Sequence, residues 1–151
     1  MSTYFTKKKQ ISRDWLVVDA KDQVVGRIAS QIAMFLMGKH KPTYSSYIDT
    51  GDYVIVLNAD KVKFTGNKWD QKVYHRHTGF VGGIRTRTAK EMLEKKPADI
   101  IRIAVKGMLP KNQTLARRQI MKLKIYTGDK HPHAVQQPRE VKINPSGKVI
   151  G

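Results

Sequence analysis

The chain has 151 residues, no cysteine, and 29 Lys or Arg against 12 Asp or Glu, a formal net charge of +17. Its length and 40% apolar content suit one domain able to bury a core, and the missing cysteines exclude disulfides and thiolate zinc sites. A charge this large opposes compaction unless something anionic offsets it. Residues 1–60 hold eight basic and six acidic residues, whereas residues 61–151 hold twenty-one and six. The second half therefore carries the footprint expected of a polyanion-binding protein.

Residues 1–14 are polar and basic, and are expected to form an arm without the apolar stretch of a secretory signal. Trp15-Leu16-Val17-Val18 predicts a strand buried on both faces. Ile28, Ile32, Phe35 and Leu36 then recur at helical spacing, and Gly38 is placed to end that helix. The run Tyr53-Val54-Ile55-Val56-Leu57 predicts a second strand, completing a βαβ unit with a right-handed crossover and a parallel sheet.

Beyond Asn58 the pattern weakens. Lys72–His77 reads as a strand, and Gly79, Gly82 and Gly83 as a flexible basic loop. Thr88 opens a helix that Pro97 closes. Ile101, Ala104, Val105 and Met108 fit a helix, although their β-branched neighbours also fit a strand. Residues 113–122 predict a helix and Leu123–Tyr126 a last strand. The remainder, from Thr127, predicts a tail without a core of its own. The expected organisation is an arm (1–14), one α/β domain (15–128) and a C-terminal tail (129–151). No run approaches the length of a membrane span, so a soluble intracellular protein is expected.

Several chemistries can be weighed against these residues. Neither a Walker loop nor G-x-G-x-x-G occurs, and Gly79-Phe80-Val81-Gly82-Gly83 is a weak echo better suited to close approach by RNA. His75-Arg76-His77 and His131-Pro132-His133 each place two imidazoles on one side of an extended segment, as a metal site would need. Their basic surroundings instead favour stacking on bases or contact with phosphates. Asp49 and Asp52 lie in a turn-like segment where such residues are usually structural. No active site, metal or cofactor is expected.

From Ile100 to Gly128 the chain carries seven Lys or Arg and no acid. On a helical wheel Ala116, Ile120 and Leu123 share one stripe. Arg117 and Lys124 lie beyond one edge, with Arg118 and Lys122 farther round. One arc is thus expected to present four cations that no i, i+4 acid can pair. The apolar stripe is needed by the core rather than by lipid, so a nucleic acid is favoured over a membrane surface. Trp69, Tyr74, Phe80 and Tyr126 among scattered cations suit folded RNA better than duplex DNA.

The chain also closely resembles, over essentially its whole length, the L-thirteen family of bacterial large-subunit ribosomal proteins. Ordered motifs carry the resemblance: Trp15 with Asp19-Ala20, Gly26-Arg27 with Ala29-Ser30, Gly38-Lys39-His40-Lys41, Gly51-Asp52, Asn58-Ala59, Thr65-Gly66-Asn67-Lys68, and Lys72-Val73-Tyr74 with His77. The most specific run is VKGMLPKNQTLARRQIMKLKIYTG, followed by His131-Pro132-His133 and Gln136-Gln137-Pro138. The resemblance implies a three-layer α/β/α fold with a four-stranded, mainly parallel sheet and basic terminal extensions. It implies binding to large-subunit ribosomal RNA during assembly, neighbouring ribosomal proteins as partners, and no enzymatic activity.

The expected RNA contacts are Lys7, Lys8 and Lys9 in the arm, and Lys39, His40 and Lys41 after the first helix. In the centre they are Lys68, Lys72, His75, Arg76, His77, Arg85 and Arg87. Farther on they are Lys106, Lys111, Arg117, Arg118, Lys122, Lys124, His131 and His133. An RNA-modifying enzyme or a non-ribosomal RNA-binding protein is the alternative expectation.

Overall fold

β1 (Trp15–Asp19) enters α1 (Val25–Met37) and returns as β2 (Tyr53–Leu57), which lies parallel to β1 with Trp15 opposite Tyr53 and Asp19 opposite Leu57. In the computed structural model, which describes residues 6–111, 113–143 and 149–150, the chain continues through a short α2 (Lys68–Gln71) into an antiparallel hairpin. Its strands are β3 (Val73–His77) and β4 (Ile84–Thr88). Three helices follow, α3 (Ala89–Lys95), α4 (Pro97–Met108) and α5 (Gln113–Met121). The sheet is completed by β5 (Leu123–Ile125), β6 (Arg139–Ile143) and the two-residue β7 (Val149–Ile150). Its order is β5-β2-β1-β6-β7, with the first four strands parallel and β7 antiparallel to β6.

Local chemistry explains most of these boundaries. Gly38 adopts φ +81° and its N–H donates to the carbonyls of Met34 and Phe35, closing α1 with the left-handed cap that glycine accepts most readily. The Thr88 hydroxyl accepts from the Glu91 N–H at the start of α3. Pro97 does not close a helix alone; it occupies the first turn of α4, where its missing N–H costs nothing. That resolves the ambiguity of the following residues in favour of a helix, which buries Ile100, Ile101 and Val105.

One face of the sheet, Leu16, Val18, Val54 and Val56, packs with α1 and α4 in a single cluster around Ile28, Ile32, Leu36, Ile100, Ile101 and Val105. The opposite face begins with Trp15 stacked on Tyr53 (4.4 Å between ring centres) and continues through buried Val17 and Ile55. The connection between β5 and β6 covers it, where His133 lies 5.0 Å from the Trp15 ring. The second covering layer is therefore thin: among the described residues of this connection there is one 3-10 turn, Ala134–Gln136.

The hairpin and the expected tail differ from the sequence expectation. Ile84–Thr88 is a strand rather than part of a loop, but it is exposed from Ile84 to Arg87 and so shows no apolar alternation. Arg139–Ile143, expected as tail, is the fourth parallel strand, with Val141 opposite Val18 and Ile143 buried. Three charged residues in REVKI hide that role. The described part of the N-terminal arm also lies against the fold, since Thr6 is buried and its hydroxyl donates to the Thr43 carbonyl. Residues 1–5 of the arm and 144–148 of the tail lie outside the described residues.

The helical-wheel placement of Lys122 is overturned. α5 stops at Met121, so Lys122 leaves helical geometry and its side chain turns inward, 4% exposed. Its ammonium donates to Asp49 Oδ1 at 2.5 Å, to the Gly51 carbonyl at 2.9 Å and to the Leu36 carbonyl at 3.2 Å. Three acceptors match its three protons. Burial pushes the Lys122 pKa below its ordinary value, and Asp49 pulls it back up. Nearby, Asp52 accepts from the Asp14 N–H at 2.9 Å, contacts His40 Nε2 at 2.8 Å and pairs with Lys41. The two carboxylates are structural, as their turn-like setting suggested.

Lys122→Ala would strand a buried carboxylate, and a loss of about 3–5 kcal/mol in urea unfolding is expected. A variant combining it with Asp49→Asn should lose less than the sum of the single changes, because the two side chains are directly coupled. Gly51 is equally constrained: a Cβ there would sit 1.8 Å from the Leu36 carbonyl oxygen. Gly51→Ala should therefore cost at least as much as ordinary overpacking, about 1–3 kcal/mol, with the thermal midpoint as the readout.

Candidate nucleic-acid interface

The hairpin has the pattern of a charged ribbon rather than a core element. Register places Val73, His75, His77, Ile84, Thr86 and Thr88 on one face, and Tyr74, Arg76, Arg85 and Arg87 on the other. Arg76 lies directly opposite Arg85, and residues 72–88 contain no acid. Like charges placed opposite one another destabilise a strand pair. At the tip Phe80 and Val81 are 78% and 107% exposed, a pair of apolar side chains at the end of a cationic ribbon.

The arginine face borders a cleft against α4. One section, about 420 Å³, is lined by Tyr74, Arg76, Arg85, Arg87, Lys96 and Ile103 among others. It adjoins a second section, about 640 Å³, at Tyr74 and Ile103, which line both. The second runs past Arg27, Phe64, Lys68, Lys72 and Met108. Seven Lys or Arg thus line the two sections, three in one (Arg27, Lys68, Lys72) and four in the other (Arg76, Arg85, Arg87, Lys96). The single carboxylate among the lining residues, Asp99, is paired with Arg102 at 3.1 Å. Such a cleft concentrates positive potential, and an anionic polymer is what it can hold.

The other expected contacts fall into distinct places. Lys106, Lys111 and Arg117 border a separate depression between α4 and α5, with Arg118 exposed on α5. Lys124 is half-buried in the edge strand β5. Lys7 and Lys9 are exposed beside the 3-10 turn Lys8–Gln10, while the Lys8 side chain lies outside the described residues. Lys39 is exposed just past α1, whereas His40 and Lys41 are held by Asp52.

The histidine pairs also separate. His75 and His77 are exposed on the hairpin, with His77 Nδ1 accepting from the Gly79 N–H at 2.9 Å. His131 and His133 are half-buried; His133 Nε2 meets the Tyr126 hydroxyl at 2.8 Å, and its N–H donates to His131 Nδ1. Among the described residues no group of three or more His, Asp or Glu is arranged to hold a metal ion.

Sequence reasoning missed Arg27 and Lys96 as lining residues. A signal existed. Residues 25–37 of α1 contain no acid, not even in the first turn, where acids are ordinarily favoured. Lys96, directly before Pro97, is brought to the cleft only by the α3–α4 corner, which sequence spacing does not reveal.

The chain is 55% identical to the large ribosomal subunit protein uL13 of Desulfotalea psychrophila over 143 residues, 95% of this chain and 100% of that one. It is 52% identical to uL13 of Roseiflexus castenholzii over 147 residues, covering 97% and 100%. With uL13 of Legionella pneumophila it shares 51% over 143 residues, covering 95% and 99%. Residues 13–132 match the family described as Ribosomal protein L13, spanning both central strands, the hairpin and the three long helices, and the chain belongs to that family.

Proposed function

We propose that the protein is a structural component of the large ribosomal subunit, in the cytoplasm, that binds and organises large-subunit ribosomal RNA during assembly. The family is one of structural rather than enzymatic ribosomal components. The observation that carries the RNA reading is the cleft: seven cations, one already paired carboxylate, and a hairpin whose Arg76 and Arg85 face each other without countercharge. No helix of the described residues is long and apolar enough to cross a membrane.

In this reading phosphates enter the cleft along Lys68, Lys72, Arg76, Arg85 and Arg87, and a second stretch of backbone meets Lys106, Lys111, Arg117 and Arg118. Phosphate contacts fix register without reading sequence, so the folded shape of the RNA supplies specificity. Lys122 has no part in this, because its charge is satisfied inside the fold. Neighbouring ribosomal proteins complete the surroundings of the chain in the particle.

Three measurements test the reading. In a cell lysate the protein should sediment with the large subunit and its precursors, and its absence from both would sink the proposal. Affinity for a transcript of the large-subunit RNA should fall steeply with salt. Arg76→Ala with Arg85→Ala should flatten the log–log slope by about 1.4–1.8, two contacts at roughly 0.7–0.9 each. Arg117→Glu with Arg118→Glu should weaken RNA binding while the unfolding midpoint is retained, since both side chains are exposed; an unfolded variant would make the pair structural.

A further inference from the structure

We infer that the section of the cleft between α1, α4 and Tyr74 receives one unstacked base of the bound RNA, with the attached phosphate on the rim at Lys68 and Lys72. This rests on the RNA-binding reading and adds a mode of contact that phosphate pairing alone does not require.

The floor of this section is apolar. Phe64, Tyr74, Ile103 and Met108 line it, and Ile103 and Met108 are 44% and 42% exposed on a helix that otherwise buries its bulky residues. Lys72 Nζ lies 5.2 Å from the centre of the Tyr74 ring, so the ring already presents a cation–π platform at the mouth. Bases of every type have a π-face, which makes aromatic platforms of this kind suited to single-stranded RNA.

Two glycines mark a close approach. Gly26 in α1 and Gly107 in α4 both line the section, and a Cβ added at either would meet no described atom within 4 Å. Glycine weakens a helix relative to alanine, and no neighbour among the described residues excludes a side chain at these positions. What the glycines leave open is the surface of the groove itself.

Charge decides the occupant. Lys68 and Lys72 stand at the edge of the apolar floor, and no carboxylate is among the described residues that line this section. An apolar side chain from a protein partner would cover the floor and leave the rim without a countercharge. A nucleotide fills both requirements at once, its base on the floor and its phosphate on the rim.

The test uses the full chain and a transcript of the whole large-subunit RNA. Gly107→Leu fills the groove from an open helical position, so it should keep or raise the thermal midpoint while lowering RNA affinity by about 5- to 100-fold, the scale of one lost base–aromatic stack. Tyr74→Leu should lower affinity similarly, and both should leave the salt slope unchanged because no phosphate contact is removed. Zero-length ultraviolet crosslinking of the wild-type complex should join a nucleotide to a peptide from 64–74 or 103–108. If both variants bind as the wild type does, while Arg76→Ala with Arg85→Ala weakens binding, the groove is not a base site although the RNA reading stands. If Gly107→Leu keeps full RNA affinity but loses a neighbouring protein of the purified subunit, the occupant is protein and the inference is overturned. Failure of the wild type to bind the transcript would instead overturn the parent reading.

Discussion

A lysine ammonium enclosed in the fold has to be neutralised before the elements around it can pack, and Lys122 imposes that condition here. Isolated burial of a charge is costly, and breaking a buried pair leaves an uncompensated partner. The solution draws on three separate pieces of chain: the carbonyl of Leu36 near the end of α1, the carboxylate of Asp49, and the carbonyl of Gly51 just before β2. Gly51 has no room for a side chain because that carbonyl framework closes over it. Asp52, one residue on, holds the loop after α1 through His40 and Lys41 and receives the arm through the Asp14 N–H. The helix end, the 39–52 loop, the start of β2, the entry to β5 and the arm thus share two carboxylates.

The same condition changes the meaning of the charge asymmetry along the sequence. The first sixty residues look nearly neutral, with eight basic and six acidic residues. Their acids, however, are largely spent inward or locally: Asp49 on Lys122, Asp52 on His40 and Lys41, and Asp19 on Asn58 and the Lys21 N–H. Asp22 pairs with Lys63, which holds its carboxyl below the usual value. Because Lys122 and Lys63 belong to the second half, Asp49 and Asp22 offset cations there, and the first half's own cations are less offset than a count by halves suggests.

Periodic apolar residues made β1, α1 and β2 legible, and Thr88 marked the start of α3, because in each case the local signal and the tertiary environment agree. Legibility failed where exposure replaced burial. β4 has polar neighbours on both faces, and β6 joins the sheet through Val141 and Ile143 among charged residues, so neither shows the pattern of a core strand. Lys122 was unreadable for a different reason: extending a helical wheel three residues past Met121 assigns an orientation the backbone no longer has. The candidate site was legible as a composition, an acid-poor and cation-rich second half. Its shape was not, since Arg27, Lys72, Arg85 and Lys96 converge through contacts between elements far apart in sequence.

The hairpin and the sheet follow opposite electrostatic rules, and the backbone is what reconciles them. A two-stranded ribbon has little stability of its own, and apposed arginines subtract from it. Its geometry is set at the ends: the Ala89 N–H donates to the Lys72 carbonyl at the base, and Thr78 and Gly83 close the tip, where a Cβ on Gly83 would lie 2.1 Å from the Thr78 hydroxyl. Pinned in that way, the strands need no side-chain complementarity between them. The side chains are released for a partner, and a partner with phosphates removes the Arg76–Arg85 repulsion as it binds. Core charges are answered inside the chain because desolvation demands it; ribbon charges are left to solvent, and in the proposed function to RNA.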